Sequence, residues 1–267
     1  MYSLLPLFKA AGASLLLAGL PRSSGAAVAA ARRPLSTDRP DATKSPYTVE
    51  PGHVQLEMDF ANYGTDRVSG VRFSEWEAVP FNLRFGLAPD FEAGFFVVPY
   101  RRETVKQAPG PSVRTAGFGD LTARAKLNLI GNDGGGAGFG VIADLKLPTG
   151  SGELGNGKFE DALIVPVAFS LSGGWSGGAL TSVGQIHAGG YQTTCLNTVT
   201  FAHEVAPDVG GFLELTSYTA VGSHLMIFNC GLTRAVGRDT QFDYGLSVGT
   251  SRNAPDFGVF AGLARRM

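Results

Sequence analysis

Leu121-Thr-Ala-Arg-Ala-Lys-Leu-Asn-Leu129 is the stretch that decides the fold. Leu121, Ala123, Ala125, Leu127 and Leu129 occupy every second position. Thr122, Arg124, Lys126 and Asn128 stand between them, with Asp120 immediately before. Successive side chains of a strand point to opposite faces, so this run has one apolar face and one charged face. An amphipathic helix would instead need apolar residues at i, i+3, i+4 and i+7.

The same alternation recurs outward from this stretch. Val54, Leu56, Met58 and Phe60 alternate with Gln55, Glu57 and Asp59, and Phe81, Leu83, Phe85 and Leu87 with Asn82, Arg84 and Gly86. Val141, Ala143 and Leu145 share one face of the run after the stretch, with Asp144 and Lys146 on the other. Near the end, Phe242, Tyr244, Leu246 and Val248 alternate with Asp243, Gly245, Ser247 and Gly249. A soluble sandwich also alternates, with its apolar face inward. These runs reach about ten residues, the length that crosses a bilayer at a tilt. Their polar faces carry charges of both signs in mid-strand.

The connections point the same way. Taking the first strand as rising, tight turns fall at Ala88-Pro89-Asp90 and at residues 130–136, 172–174, 206–208 and 236–239. Longer loops are expected at residues 64–70, 101–117, 149–158, 189–197, 219–223 and 250–255. Short turns on one side and longer loops on the other characterise outer-membrane barrels. The reading is an all-β fold, a closed antiparallel transmembrane β-barrel of about twelve strands, whose closure leaves no backbone group unpaired in lipid. One local conflict stands out. The phase set by Phe81, Leu83 and Phe85 would turn Glu75 and Glu77 toward lipid. Either a bulge near Pro80 turns them inward or they lie above the hydrocarbon at the outer rim.

Composition bounds the alternatives. Of 267 residues, 44% are hydrophobic and only 17% charged, below the roughly one quarter usual in soluble domains. No apolar stretch reaches the roughly 18 residues of a spanning helix. With 22 basic against 23 acidic residues, the chain lacks the excess of basic charge expected of a nucleic-acid binder. Cys195 and Cys230 lack metal-ligand spacing, and the sequence leaves open whether they are bridged. Residues 1–31 follow the order of a secretory signal: a short start carrying Lys9, an apolar stretch from Ala10 to Leu20, and small residues offering Ala27-Val28-Ala29 for cleavage. Residues 32–51, rich in Pro, Asp, Thr and Ser, read as a flexible, exposed lead-in. The barrel then occupies residues 52–267, and its location is the bacterial outer membrane.

Gly117-Phe-Gly-Asp-Leu-Thr-Ala-Arg-Ala-Lys-Leu127, with Leu145-Lys-Leu-Pro-Thr-Gly150 downstream, resembles the outer-membrane barrels of the meta-pathway phenol-degradation family, often called simply "transporter". Phe81-Asn-Leu-Arg-Phe-Gly-Leu87 and the closing Val259-Phe-Ala-Gly-Leu263 share the likeness, which runs from about Tyr47 to the end. The resemblance implies an outer-membrane location and uptake of aromatic or other hydrophobic compounds. The chain departs from the usual terminal aromatic residue by ending in Arg265-Arg266-Met267.

Projecting the alternation places Glu57 and Asp59 (with Gln55), Arg84, Asp120, Arg124, Lys126, Asp144 and Lys146 on the lumen. Two readings follow. The charges form a constriction that selects solutes, or they pair across a filled barrel and hold it together. The expected function is passive passage of a small solute. Its rivals are a non-conducting structural or surface-interaction barrel, working through residues 101–117, and an outer-membrane lipid hydrolase built on His187 or His203. The two G-x-S-x-G strings, at Gly174–Gly178 and Gly245–Gly249, lack the strand-turn-helix setting of a nucleophile elbow. The Gly152–Lys158 spacing is followed by Phe159 where a phosphate loop needs Ser or Thr. No enzyme activity, cofactor or metal is therefore expected. The partners are outer-membrane lipid and a small-molecule solute, and the oligomeric state is left open.

Overall fold

The computed structural model describes residues 33–133 and 136–267. The expected export signal at residues 1–31 lies outside them. Strand β1 (Val54–Val68) pairs along its length with β15 (Phe257–Arg266), and this pairing closes the wall. The wall continues from β1 through β3 (Phe81–Ala88), β4 (Phe91–Val97), β7 (Leu121–Ile130), β8 (Ala137–Leu147) and β9 (Glu160–Ser170). It goes on through β10 (Trp175–His187), β11 (Tyr191–Ala206), β12 (Val209–Ala220), β13 (Ser223–Val236) and β14 (Thr240–Gly249) to β15. Every ladder is antiparallel between neighbours, and the result is a closed barrel of twelve staves.

Three staves are interrupted, which is why fifteen strands make twelve staves. The upper part of β1 pairs with β2 (Val71–Ala78) and its lower part with β3. The gap between them holds Val79, at a left-handed φ of 54°, and Pro80. Next door, β5 (Tyr100–Gln107) continues β4 beyond Val98 and Pro99, and β6 (Ser112–Gly117) precedes β7 across residues 118–120. Proline has no N–H for a ladder, so strands break or bulge there. The break resolves the conflict over Glu75 and Glu77: both turn inward and are buried, ion-paired with Arg101 of β5. Above the breaks β6 pairs only with β5. Its free edge is covered by residues 148–159, where Ser151 N donates to Phe118 O (2.8 Å) and Phe118 N donates to Ser151 Oγ (2.7 Å).

The outer connections are shorter than expected. The strands absorb most of residues 64–70, 101–117 and 189–197, so only residues 148–159 and 250–256 remain as substantial loops. The surface loop expected at residues 101–117 is a β5–β6 hairpin. Alternation mispredicts such segments because a strand that rises above the lipid no longer needs an apolar outer face.

Side-chain direction follows the alternation where it is clean. In β7, Thr122, Arg124, Lys126 and Asn128 are buried, while Leu121, Ala123, Ala125 and Leu127 are partly exposed on the outside. Val141, Ala143 and Leu145 of β8 face outward in the same way. Around the barrel the outer surface exposes Phe60, Leu163, Val183, Leu213 and Tyr244. So much exposed apolar surface is intelligible only against lipid.

Candidate functional site

Residues 33–51 have no regular secondary structure, yet they are not an exposed lead-in. They enter the barrel at its lower end and turn at residues 39–43. They then return to start β1, with Asp38, Thr43, Thr48 and Val49 buried. The two limbs are tied by Ser36 Oγ to Ser45 Oγ (2.6 Å), by Ser45 N donating to Asp38 Oδ1 (3.1 Å), and by Arg33 N donating to Glu50 Oε1 (2.6 Å). This segment is a plug. Polar composition misleads here because the surroundings it meets are charged rather than greasy.

The plug is locked by complementary charge. Asp38 accepts from Lys126 Nζ (2.6 Å) and Arg124 Nη1 (3.2 Å) and lies 3.9 Å from Arg84 Nη1. Arg84 also binds Glu57 (2.6 Å) and Glu92 of β4 (2.8 Å), and Arg124 binds Asp144 (2.6 Å). Burial alone would raise the Asp38 carboxyl; Arg84, Lys126 and Arg124 outweigh it and hold the group well below the usual carboxylate range. One step further on, Arg39 reaches Asp59 (2.7 Å) and Asp243 (2.6 Å).

The tip is held differently. Glu214 of β12 accepts from Ala42 N (3.0 Å), Thr43 N (2.7 Å), Thr43 Oγ1 (2.6 Å) and Asn229 Nδ2 (2.6 Å), with no cation within ion-pair distance among the described residues. Asp41 lies beside this carboxylate. It touches the cavity, but the barrel surrounds it, and burial together with the Glu214 charge pushes its pKa up to about 7.

The wall makes room for the plug through glycines. A Cβ on Gly86 would overlap the Glu50 carbonyl, and one on Gly262 would crowd the Met58 carbonyl and the Arg39 guanidinium.

Six of the eight residues projected onto the lumen join this lock: Glu57, Asp59, Arg84, Arg124, Lys126 and Asp144. The other two, Asp120 and Lys146, form a separate cluster near the outer end. Lys146 Nζ donates to Asp120 Oδ2 (2.7 Å) and Asn156 Oδ1 (2.9 Å), and Asp120 Oδ1 accepts from Gly150 N (2.7 Å), which anchors residues 148–159. Sequence reasoning missed Asp38, Arg39, Glu92, Arg101 and Glu214. Glu214 was within reach, between Leu213 and Leu215; the plug residues carry no periodic signal at all.

Above the plug tip the lumen holds a cavity of about 400 Å³. Its floor is formed by residues 38–42 and Lys44, and Asp59, Arg124 and Asp144 face it from one side. From the other side Ala162, Ile164, Leu180, Leu196, Leu225 and Ile227 line it. This apolar inner wall departs from a purely polar lumen. In β9 both faces are apolar, so periodicity cannot tell inside from outside.

Neither His187 nor His203 hydrogen-bonds a serine among the described residues. His203 stacks on Trp175 and hydrogen-bonds Gly174 O (3.1 Å), while His187 packs edge-on against Tyr191. The histidine that meets a serine is His224, whose Nε2 is 3.1 Å from Ser217 Oγ. Among the described residues no group hydrogen-bonds its other ring nitrogen, the position that the third member of a triad would occupy. Cys195 and Cys230 are both free.

A closed twelve-stave antiparallel wall, greasy outside and charged inside, defines an outer-membrane β-barrel. The chain belongs to the family described as "Putative MetA-pathway of phenol degradation", whose profile matches residues 37–267. Among solved structures it is similar to the COG4313 outer membrane channel from Pseudomonas putida F1, at 15% identity and a TM-score of 0.63, over 83% of this chain and 98% of that one. It is also similar to the beta domain of the Bordetella autotransporter BrkA, at 12% identity and a TM-score of 0.53, over 82% of this chain and 100% of that one. At these identities the likeness establishes the fold. No curated protein matches the sequence.

Proposed function

We propose that the protein is a plugged outer-membrane channel that passes a small, predominantly apolar solute passively. The observation that carries the reading is the two-sided cavity above the plug. Its volume of about 400 Å³ lies in the range of small-molecule sites, roughly 300–1,000 Å³, which combine apolar walls with a few placed polar groups. A solute entering from outside would rest its apolar body on Ile164, Leu180, Leu196 and Ile227 and keep any polar group toward Asp59, Asp144 and Arg124. Onward passage needs the tip at residues 39–43 to move. Family membership and fold agree with this reading without naming the solute.

Liposome swelling tests it. Vesicles holding the full chain are expected to take up a neutral aromatic alcohol faster than a sugar of equal size. Ile164→Asp combined with Leu180→Asp is expected to erase that preference. Swelling no faster than in empty vesicles, together with an absence of single-channel events, would sink the proposal. That outcome would leave the structural reading, which the density of ion pairs between plug and wall favours.

A further inference from the structure

We propose that the outward face of the β1–β2–β5–β6 sheet binds a phosphorylated glycolipid of the outer leaflet, its phosphates held by arginine and lysine side chains just above the hydrocarbon. This face looks away from the lumen, so the site stands apart from the transport reading.

Register sets the face. Val71, Glu75 and Glu77 of β2 point into the barrel and are buried, so the side chains that alternate with them point out. The ladders stack these outward side chains in rows across neighbouring strands. The uppermost row is Arg67, Arg72 and Lys106, one directly opposite the next on β1, β2 and β5. Below it lie Thr65, Ser74, Thr104 and Arg114. In the row beneath, Tyr63 stands opposite Trp76 and Trp76 opposite Arg102, whose guanidinium carbon is 5.6 Å from the indole centroid. Glu75, Glu77 and Glu103, the acidic residues of β2, β5 and β6, lie on the other face, as does Asp66 of β1.

All five cations are exposed, and none is ion-paired with a carboxylate among the described residues. Like charges directly opposite on neighbouring strands, about 5 Å apart, destabilise a sheet. Arg67, Arg72 and Lys106 are three in line. An anion lying across the row turns that repulsion into attraction. The charge is also one-sided: at the same end of β9 and β10, the outward pair Asp161 and Gln185 brings no cation.

The height of the patch selects the occupant. Lower on this side the outward residues are apolar, with Val54, Leu56 and Met58 of β1 opposite Phe85, Leu83 and Phe81 of β3. The change to polar side chains comes at Tyr63, Trp76 and Tyr100, where the last two rings meet edge-on at 5.6 Å. Such rings mark the boundary between hydrocarbon and headgroups. Arg67 lies beyond Tyr63 on the same strand by a rise of roughly 10 Å, at ~3.3 Å per residue and a tilt of about 40°, which places it in the headgroup layer. Arginine binds phosphate through paired N–H donors. The hydroxyls of Ser74 and Thr104, set among the cations, suit phosphate or sugar oxygens. A zwitterionic lipid would bring a cation of its own to the patch, whereas a bisphosphorylated glycolipid brings negative charge alone.

Native mass spectrometry tests the site. The full chain, folded into uncharged detergent micelles, is titrated with lipid A carrying both phosphates, and in parallel with monophosphoryl lipid A, phosphatidylglycerol and pyrophosphate. Lipid A is expected to bind tightest, with the monophosphoryl form weaker. Arg72→Gln with Lys106→Gln should weaken lipid A roughly thirtyfold, about fivefold for each cation near an anionic surface. Lys158→Gln with Arg252→Gln removes the same charge from exposed positions elsewhere at the outer end and should leave binding unchanged. Because the first pair of substitutions relieves opposed charge, it should not lower the urea midpoint of the barrel. Absence of lipid A binding, or equal losses in the two double variants, overturns the proposal. Phosphatidylglycerol binding as tightly as lipid A also overturns it, by reducing the patch to a general attraction for anionic lipid. So does displacement of lipid A by pyrophosphate at equal concentration, which would assign the patch to a soluble anion.

Discussion

Asp38 concentrates the residue-scale physics. It is 3% exposed and serves Lys126, Arg124 and Arg84 together, so its carboxylate is the common counter-charge of three cations from two staves. Removing one partner from a buried ionic network leaves uncompensated charge, at a cost on the order of 3–5 kcal/mol. Asp38→Asn is expected to lower the stability of the vesicle-reconstituted barrel by about that much in urea titrations and to raise the frequency of channel opening. An unchanged midpoint would show that the plug is not held by charge. Asp41 makes a separate prediction about pH. Its pKa is 3.8 in the open chain and about 7 when docked, so the docked plug retains a proton that the released plug gives up. The Asp41 contribution to docking is therefore full below about pH 4, declines as pH rises from there, and is spent above about pH 7. Single-channel opening should increase from pH 6 to pH 8, and Asp41→Asn should flatten the dependence. The Asp38 lock persists across this window because its carboxyl is held below the usual range.

At the scale of elements, the interrupted staves and the glycine tracks decide where the plug fits. The Val79-Pro80 break reverses the phase of β2 relative to β3 and turns Glu75 and Glu77 toward Arg101. Arg101→Leu would remove the guanidinium that both carboxylates share. The β2–β5–β6 sheet should then loosen, which limited proteolysis at the turn between Gln107 and Ser112 would detect as faster cleavage. Gly86 tests the opposite end. Gly86→Val sets side-chain atoms where the Glu50 backbone runs, so the plug should be displaced while the barrel closes normally. Conductance should then rise although no charge has changed. A plug that remained protected from protease in this variant would show that the close packing at Gly86 is dispensable.

For the whole molecule, charge balance sets what an emptied lumen would prefer. Among the wall residues facing the plug and cavity, Glu57, Asp59, Glu92, Asp144, Glu214 and Asp243 are acidic, and Arg84, Arg124, Lys126 and Arg266 are basic. Deleting residues 33–50 would leave this acidic excess facing water. The resulting pore should conduct several-fold more than the full chain and favour potassium over chloride, because a lumen lined by one sign of charge concentrates its counter-ion. Reversal potentials under a salt gradient measure this; chloride preference would contradict the reading of the wall.

The alternation in β1, β7, β8 and β14 was enough to establish a barrel in a membrane and to turn Glu57, Asp59, Arg124, Lys126 and Asp144 toward its interior. That much is local: side chains alternate on any strand, and one greasy face longer than a soluble strand needs has few places to go. The path of residues 33–51, the inward turn at Glu75 and Glu77, and the apolar inner wall at Ile164 and Leu180 depended on tertiary structure. Each arises from contacts between segments far apart in the chain. Asp38 meets Lys126 across 88 positions, and no periodicity within either segment encodes the meeting. A polar segment becomes a plug, and not a tether, only because the closed wall offers it buried charges that nothing else can neutralise.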